Sequence, residues 1–438
     1  MVDTAPTRPA TAPNYGGFID EDWERLTFRV HRSALRDEDV FERERGRIFD
    51  RSWLYVGHES EIAKSGDWKV RRVGGRNLIF CRDLDGEVQL YFNTCPHRGT
   101  TICRAEDEGN ARFFQCFYHA WTFNLKGELT GIPDPSAYPE ADFRERYTLR
   151  RPAHHAELRG FHFVAYDPDA GSLADHLGAA ADYILMMTEH SEKGIKMIPG
   201  TQEYSVRANW KMAVENALDG YHFSPTHATY VDWLHDTGFK VHNEGGRVES
   251  LGNGHAVLIQ SGHGGRVGLK WEPRFGEAQR EQSEASRARL VERLGEERGG
   301  LIAGTSRILF VFPNLLLFDI ISLAVRQLEP LAAGLTEVNA WEMAPIGEPP
   351  ETTQLRIRML GAFIGPGGLA TPDDIEAYEA VQRGLQNTAG DPRPGVDWND
   401  ISRGMAREKA GEYGRSVDES GIRSFWRHWA GTMAGSVS

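Results

Sequence analysis

The sequence predicts an α+β protein in which an all-β domain is inserted into a larger domain of antiparallel strands and helices. The length of 438 residues exceeds that of one ordinary domain. One segment consists of short runs rich in β-branched and aromatic residues, punctuated by Gly, Asp and Asn. The runs that follow mix strand-like and helical patterns. The predicted boundaries are 1–52 for an N-terminal arm and helix of the larger domain, 53–166 for the β domain, and 167–438 for the remainder of the larger domain.

The elements can be predicted in chain order. The N-terminal stretch MVDTAPTRPATAPNYGG lacks an apolar run, so it predicts a mobile arm and no secretory signal. Residues 37–50 have the spacing of an amphipathic helix. In the larger domain, RILFVF, LLLFDIISLAVRQLEPL and TEVNAWEMAPI predict the sheet, and the charged stretch 275–299 predicts a solvated helix or flap rather than core. The last strong helix is predicted to begin near Thr371.

The composition restricts the classes of function. The formal net charge of −13 argues against a nucleic-acid or anionic-membrane partner. No run approaches the roughly 18–20 apolar residues that span a membrane, so a cytoplasmic location is the expectation. Four cysteines are too few for a disulfide scaffold, which leaves metal binding to be considered for those that lie near histidines.

The first candidate site lies in residues 95–119, CPHRGTTICRAEDEGNARFFQCFYH, and pairs Cys95-x-His97 with Cys116-x-x-His119. A Rieske [2Fe–2S] cluster needs these ligands, because two thiolates bind one iron and two imidazoles bind the other. A lone Cys is more often a core residue, and zinc also accepts two Cys and two His. Zinc fingers usually group like ligands together, however, so the mixed order favours the two-iron cluster.

The second candidate site lies in residues 209–230, NWKMAVENALDGYHFSPTHATY. Asp219 and His222 are three residues apart and are predicted to share a helix face. His227 is about 140° further around a regular helix, so both histidines could bind one metal only if the helix ends or bends, which Pro225 can cause. Two imidazoles and a carboxylate form the facial triad of oxygen-activating ferrous enzymes. This spacing alone is a weak signal, because His pairs on helices are more often ordinary residues.

Together, the two motifs resemble those of the large (alpha) subunits of Rieske non-haem iron aromatic ring-hydroxylating dioxygenases, in the same order and at about the same separation. The resemblance rests on CFYHAW in the first motif and on NWK, ENALDGYH and TH in the second, and it extends from about residue 30 to the C-terminal helix. Respiratory Rieske proteins have two further cysteines beside the ligands. Cys81 and Cys103 do not lie at those positions, so the oxygenase branch fits better and both are interpreted as structural.

The resemblance implies that His222, His227 and a distant carboxylate bind a mononuclear Fe(II). FIGPGGLATPDDIEAYEAVQRG resembles the family's second catalytic stretch, in which the later Asp of the pair binds iron, and that residue is Asp374. The pattern alone leaves Asp373, Asp374 and Glu376 open, because acidic residues are also typical of the first turn of a helix.

The resemblance further implies a helix-grip catalytic domain and the role of terminal oxygenase in a multicomponent system. NADH would supply electrons through a separate ferredoxin or reductase, because no GxGxxG fingerprint is present to bind NADH or flavin. Both atoms of O₂ would be added to the ring, giving a cis-dihydrodiol. Asp219 would be an acidic bridge to His119 of a neighbouring subunit, so the active unit is expected to be a homotrimer or an α3β3 assembly with a small β subunit.

Within the family, ENxxDGYH and GLATPDDIEAYEAVQ look most like the benzoate, cumate, terephthalate and phthalate dioxygenases, which act on aromatic carboxylates. Such a substrate needs a cation in a mostly apolar pocket. Arg326 and Arg415 are the candidates, although a lone Arg in a strand is usually a surface residue or part of an ion pair. The alternatives are a Rieske monooxygenase, hydroxylase or demethylase, a Rieske electron carrier without oxygenase activity, and a zinc-stabilised binding protein.

Overall fold

The computed structural model describes residues 16–138, 142–239, 245–261, 265–412 and 414–435. The chain divides into two compact units, one formed by Met1–Ile48 with Ala174–Ser438 and the other by Phe49–Leu173. Most of the predicted N-terminal arm, residues 1–15, lies outside the described residues. In the described part of the chain, no helix combines the length and the apolar character needed to cross a bilayer.

The smaller unit is built from short antiparallel strands. Its described residues form one four-stranded sheet, in the order Val88–Phe92, Arg76–Arg82, Asp67–Val73 and Glu108–Asn110, and two three-stranded sheets, in the orders Leu129–Gly131, Thr122–Asn124, Phe113–Gln115 and His154–Leu158, Phe161–Ala165, Leu54–His58. Short helical turns lie at Glu59–Ile62, Pro135–Ala137 and Phe143–Arg146. The DLDG turn shows why the sequence forms hairpins here: Asp83 Oδ1 accepts hydrogen bonds from the backbone N–H groups of Asp85 and Glu87, both at 2.9 Å.

Aromatic and aliphatic side chains from these strands form the core of the smaller unit, in which Ile79, Tyr91, Trp121 and Phe123 are buried. Cys81 is buried in this core and Cys103 packs against it. Burial raises the pKa of both thiols to about 12, so neither is a ready thiolate at neutral pH.

The larger unit is organised around an antiparallel sheet of nine strands in its described part. The strand order is Ile195–Met197, Leu335–Pro345, Leu323–Ala332, Leu315–Asp319, Thr305–Val311, His255–Ser261, Gly246–Gly252 and Gly414–Arg415, with Gln202–Val206 also paired to Leu335–Pro345. A small sheet is formed by Ile19–Asp22, Thr27–His31 and Trp398–Asp400. The single predicted run LLLFDIISLAVRQLEPL is two strands joined by a turn at residues 320–322.

Helices complete the larger unit, and the predicted α+β class is confirmed. The α-helices are Ser33–Arg36, Glu38–Glu44, Leu173–Leu177, Ala180–Thr188, Trp210–Ala217, Phe223–Thr226, Ala228–Asp236, Arg280–Gly304, Pro350–Phe363, Thr371–Leu385, Met405–Lys409 and Ser420–Ala434, with a π-helical turn at Arg45–Phe49 and 3₁₀ turns at Pro273–Phe275, Glu277–Gln279 and Gln386–Thr388. The expected helix at residues 37–50 is therefore an α-helix that continues as a π-helical turn.

Two expectations about helices need correction. The helix beginning at Thr371 is not the last strong one, because Ser420–Ala434 follows and buries Phe425, Trp426 and Trp429 completely. Its Gly, Ser and aromatic residues are weak helix formers, so packing against the sheet rather than local propensity stabilises it. The charged stretch is a helix, as expected, but one side of it belongs to the core, since Leu290 packs with other buried apolar side chains.

A buried ion pair fixes the helix Trp210–Ala217, which leads into the second candidate site. The Lys211 ammonium group donates a hydrogen bond of 2.5 Å to the Glu44 carboxylate, and both side chains are fully buried. Glu44 also accepts hydrogen bonds from the indole N–H groups of Trp210 (3.0 Å) and Trp429 (2.7 Å). The helix begins at a cap, where the Asn209 side chain accepts a hydrogen bond of 3.1 Å from the backbone N–H of Lys211.

Candidate iron sites and substrate pocket

Two tight loops of the smaller unit bring its predicted metal ligands together. In the first loop, the backbone N–H of Cys95 donates to Thr100 O at 2.8 Å, and that of Gly99 donates to Cys95 O at 2.9 Å. In the second, the N–H of Cys116 donates to Trp121 O and that of Ala120 donates to Cys116 O, both at 2.9 Å. Each loop thus turns back four residues after its cysteine. The cysteine and the histidine of each pair therefore lie within one tight turn.

The two loops place like ligands beside each other. The Cys95 and Cys116 thiols are buried and within hydrogen-bonding contact. The His97 and His119 rings are half-buried, with centroids 4.6 Å apart. A pair of thiols beside a pair of imidazoles is the donor set of a Rieske [2Fe–2S] cluster, in which one iron is bound by sulfur and the other by nitrogen. The four residues therefore fit that cluster.

The two cysteine thiols and the two histidine rings have different surroundings. Burial raises the pKa of the Cys95 thiol to about 11, so binding of iron would displace protons from the thiols. The His97 ring stacks on Trp121 with centroids 4.5 Å apart and an interplanar angle of 2°. The Arg98 guanidinium lies with Nη2 2.6 Å from His119 Nε2. Among the described residues, a cation and an aromatic ring, rather than carboxylates, adjoin the imidazoles.

The second candidate site forms where a helix ends, which corrects one expectation. The helix Trp210–Ala217 stops before Asp219, so Asp219 and His222 do not share a helix face. They lie in a connecting segment, in which the Asp219 carboxylate accepts a 2.5 Å hydrogen bond from the backbone N–H of Tyr221. The histidines flank the single-turn helix Phe223–Thr226, which turns both imidazoles toward one point.

Asp374 comes to that point from the first turn of the helix Thr371–Leu385. Its Oδ1 atom lies 3.6 Å from His222 Nε2 and 3.3 Å from His227 Nε2. The candidate ligand atoms of the three residues all lie within 4.8 Å of one another. Donors that share an ion at about 2.1 Å and at right angles are roughly 3 Å apart, so this group needs only a small contraction to bind a metal. Two imidazoles and one carboxylate fit ferrous iron.

The other ring nitrogen of each histidine faces a further carboxylate. His222 Nδ1 is buried and has no hydrogen-bond partner among the described residues, and Asp219 Oδ2 is 3.6 Å away. His227 Nδ1 lies 3.4 Å from Asp373 Oδ2. Burial lowers the pKa of His227, but the hydrogen bonds and charges of Asp374 and Asp373 outweigh burial, and its pKa is raised. Both imidazoles are therefore oriented so that Nε2 faces the metal position.

The acidic residues left open by the pattern occupy different places. Asp374 is buried and accepts a 3.0 Å hydrogen bond from the Asn216 amide at Oδ1. Asp373 lies behind His227 instead of beside the metal position. Glu376 forms an exposed ion pair with Arg383 at 2.6 Å and faces away from the histidines. The structure thus brings Asp374 alone of the three to both Nε2 atoms.

A cavity of about 150 Å³ lies beside the two histidines and Asp374. The wall combines apolar side chains of the sheet, helices and loops with a few polar groups. The apolar lining includes Leu258, Ile308, Leu316, Phe318, Ile320, Ile321, Phe223 and Phe363, and the polar groups away from the metal position include Gln260, Arg274, Ser306 and Arg326. Such a mostly apolar pocket with few polar groups is typical of a small-molecule site.

The two predicted substrate-binding arginines are placed differently. Arg326 lines the cavity, where its Nη2 donates to Ile364 O (2.8 Å) and to Thr371 Oγ1 (2.9 Å) and its guanidinium lies 4.9 Å from the centre of the Phe318 ring. Arg415 is exposed on a strand of the sheet and is not among the residues that line the cavity. The structure does not bring Arg415 to the site.

Several residues at the site were not found from the sequence. Arg274 lines the cavity, but it forms an ion pair with Glu272 and lies 3.3 Å from the Tyr230 hydroxyl, so its charge is compensated. Gln260 and Ser306 contribute polar groups to the sheet wall. The alternation of side chains along the strands could have indicated which of them face inward. It could not have indicated which residues of other elements pack opposite that inner face.

Comparison with known proteins agrees with this geometry. Residues 52–144 match the Rieske [2Fe–2S] domain family, and residues 197–435 match the family described as ring hydroxylating alpha subunit (catalytic domain). The chain is 32% identical to the toluate 1,2-dioxygenase subunit alpha of Pseudomonas putida, over 93% of this chain and 89% of the relative. It is also 32% identical to the 2-halobenzoate 1,2-dioxygenase large subunit of Burkholderia cepacia, over 86% and 80%.

Among solved structures, naphthalene 1,2-dioxygenase from Rhodococcus sp. bound to indole matches with a TM-score of 0.80 and 26% identity, over 94% of this chain and 95% of that one. The chain therefore belongs to the alpha subunits of the Rieske ring-hydroxylating oxygenases. It combines a Rieske [2Fe–2S] domain with the catalytic domain of non-haem iron oxygenases, as predicted. An electron carrier without oxygenase activity and a zinc-stabilised binding protein are both wrong, because the catalytic domain accounts for more than half of the chain.

Proposed function

We propose that this subunit is the terminal oxygenase of a system that dihydroxylates a single-ring aromatic carboxylate, with Arg326 binding the carboxylate. The observation that carries the proposal is a cation without a carboxylate partner in a small apolar cavity beside the metal position. Among the described residues, Arg326 donates only to a backbone carbonyl and a hydroxyl group, and no carboxylate forms an ion pair with it. A partly buried guanidinium without a carboxylate partner would favour an anionic ligand there.

The size of the cavity favours one ring. A cavity of about 150 Å³ is the size that accommodates benzene in an engineered protein core, and the cavity here has that volume. The names of similar proteins point the same way, since toluate, 2-halobenzoate and anthranilate are single-ring acids. A hydrocarbon without a carboxylate would leave the Arg326 cation unpaired.

The position of Arg326 favours reaction close to the carboxylate. Its guanidinium binds the hydroxyl of Thr371, and Asp374 lies three residues further along the same helix, close to one turn away. A carboxylate held there would place the ring carbon that bears it, and the adjacent carbon, nearest the metal position. This orientation suits addition of O₂ across the first and second ring carbons.

The two iron groups would be held by different parts of the chain. Cys95, His97, Cys116 and His119 would bind the [2Fe–2S] cluster, and His222, His227 and Asp374 would bind Fe(II). When bound, these groups supply electron storage and O₂ activation. The chain's own residues orient the ligands and hold the ring: Asn216 donates a hydrogen bond to Asp374, and aromatic and aliphatic side chains would pack against the bound ring.

Transfer of electrons between subunits would depend on Asp219. Its carboxylate is partly exposed, with 20% of the side chain accessible, and it adjoins His222. We infer that it accepts a hydrogen bond from a Rieske histidine of a neighbouring subunit, within a homotrimer or an α3β3 assembly, and that a separate ferredoxin or reductase reduces the cluster. This arrangement would connect two irons by a few hydrogen bonds, and it makes a ring-shaped assembly necessary for turnover.

The proposal is tested with a panel of benzoate, toluene and naphthalene, assayed with a surrogate reductase and ¹⁸O₂. Benzoate should give a cis-dihydrodiol that contains both labelled atoms, and the hydrocarbons should react poorly. Arg326→Met should raise the KM for benzoate roughly 10- to 100-fold, because a charge-assisted hydrogen bond is lost. Equal turnover of toluene and benzoate, or an unchanged KM in Arg326→Met, would refute the carboxylate role.

A further inference from the structure

A polar pair interrupts the apolar wall of the substrate cavity. Gln260 and Ser306 lie directly opposite each other on the neighbouring strands His255–Ser261 and Thr305–Val311, and both line the cavity. The next cross-strand pair on the same face is Leu258 with Ile308. The amide and the hydroxyl therefore share one end of the sheet wall, beyond which the face is hydrophobic.

The polar groups of these two side chains have no hydrogen-bond partner in the part of the chain that the structure describes. Ser306 is nevertheless only 9% exposed. Gln260 is partly buried, and neither polar group is among the fully buried atoms that lack a partner, so both are open to the cavity and can pair with a polar group of a bound molecule.

We propose that Gln260 and Ser306 bind a neutral polar substituent of the substrate, such as a ring hydroxyl or amino group, at the end of the ring away from the carboxylate. The inference rests on the proposed function and narrows the substrate class to hydroxy- or amino-substituted benzoates. The amide offers a donor and an acceptor, and so does the hydroxyl, so together they can satisfy either substituent.

The positions of the two polar ends suit a substituted ring. Arg326 pairs across the sheet with Leu316, and Leu316 pairs with Phe310, which is four residues beyond Ser306 on its strand. Two inter-strand steps and four residues along a strand separate the Cα atoms of Arg326 and Ser306 by roughly 17 Å. After both side chains reach inward, this distance leaves room for one ring with a substituent at each end.

Charge in the cavity favours a neutral substituent over a second carboxylate. The other arginine of the wall, Arg274, already forms an ion pair with Glu272 and contacts the Tyr230 hydroxyl. Among the described residues, a second carboxylate at the Gln260 and Ser306 end would meet no free cation and would lose its hydration. A hydroxyl or amino group carries no such cost.

The experiment compares pairs of substrates that have nearly the same shape: 4-hydroxybenzoate with 4-methylbenzoate, and 3-hydroxybenzoate with 3-methylbenzoate. In the wild-type holoenzyme, kcat/KM should favour the hydroxyl member of at least one pair by about tenfold or more, since the methyl group leaves the amide and hydroxyl unpaired. In Gln260→Met/Ser306→Ala the preference should fall to about twofold or reverse. The variant Gln202→Met/Ser250→Ala, altered on strands outside the cavity, should retain it.

The outcomes separate this inference from the proposed function. If the benzoates are oxidised but hydroxyl and methyl members react equally well in the wild type, or the preference persists in Gln260→Met/Ser306→Ala, the pair binds only water and the inference is overturned. If no benzoate is oxidised or bound whereas hydrocarbons are, the carboxylate proposal itself fails. Isothermal titration with the same acids under anaerobic conditions provides a readout that does not depend on turnover.

Discussion

The two histidine pairs of this subunit have different neighbours. The rings of His97 and His119 are 4.6 Å apart and adjoin an indole ring and a guanidinium. The rings of His222 and His227 are 5.3 Å apart, and the nitrogen of each that turns away from the metal position faces a carboxylate. Within the described part of the chain, the first pair therefore has neutral and positive neighbours, and the second pair lies among three aspartates.

The neighbours of each histidine pair suit the charge of the group that the pair would hold. A [2Fe–2S] cluster with two thiolates and two imidazoles is neutral when oxidised and negative when reduced, so it needs no carboxylates nearby and a cation favours its reduction. A ferrous ion between two neutral imidazoles retains most of its positive charge, and carboxylates around the site stabilise it and raise the basicity of the histidines.

The largest expected effect separates the two sites. Cys116→Ser should abolish the visible absorption of the cluster, and His227→Ala should leave that absorption intact while removing the mononuclear iron. Both variants should lose turnover, because electron storage and O₂ activation are both required. Iron analysis combined with visible and electron paramagnetic resonance spectra checks this. Loss of the cluster signal in His227→Ala would mean that the sites are not separate.

The next prediction concerns the buried ion pair between Lys211 and Glu44, which holds the helix Trp210–Ala217 that leads into the catalytic site. Lys211→Met should lower the free energy of unfolding by about 3–5 kcal/mol, because the Glu44 carboxylate would remain buried without its cation. The double variant Lys211→Met/Glu44→Gln should recover part of the loss, since neutral glutamine can still accept from the indoles. Urea denaturation measures the free energy of unfolding of both variants. A change below about 1 kcal/mol in Lys211→Met would mean that the ion pair does not stabilise the fold.

A smaller effect should distinguish the two adjacent aspartates. Asp373→Asn should weaken Fe(II) binding to the metal-free protein roughly 10- to 100-fold, because the carboxylate behind His227 orients the imidazole and increases its basicity. Asp374→Asn should weaken binding further, since it changes a ligand. Direct titration with Fe(II) under anaerobic conditions measures both, and equal affinities for the wild type and Asp373→Asn would exclude the supporting role.

The contrast between the sites also explains what could be predicted from the sequence. Cys95 and His119 lie 24 residues apart, and each loop closes on itself by backbone hydrogen bonds. The four ligands of the first site could therefore be predicted from their spacing in the sequence. Asp374 lies more than 140 residues beyond His227, and only the resemblance selected it from its neighbours. The orientation that brings it to the histidines depends on how two distant helices pack.

Other features could not be predicted because they depend on tertiary contacts. Asp219 and His222 were expected on one helix face, but the helix ends at Ala217 and a turn brings the two side chains close by another route. The sequence shows that Gln260 and Ser306 are polar, but it does not show that both line a cavity. Arg326 and Arg415 were equivalent candidates until the fold placed only the former in the cavity wall.

The smallest expected effect concerns Arg415. Arg415→Met should change the KM for benzoate by less than about twofold, because an exposed strand residue outside the cavity makes no contact with the substrate. Arg326→Met, with the same change of side chain, is the matched comparison. A rise in KM in Arg415→Met as large as that in Arg326→Met would show that both arginines bind the acid.

The central claim is that electrons stored at the thiol and imidazole site are used at the separate histidine and aspartate site. The most direct measurement is a single turnover, in which the reduced subunit is mixed with benzoate and O₂ while the visible band and the product are followed together. The wild-type cluster should reoxidise as the cis-dihydrodiol forms, and His227→Ala, with an intact reduced cluster, should form no product and reoxidise slowly. Product formation at the wild-type rate in His227→Ala would contradict the central claim.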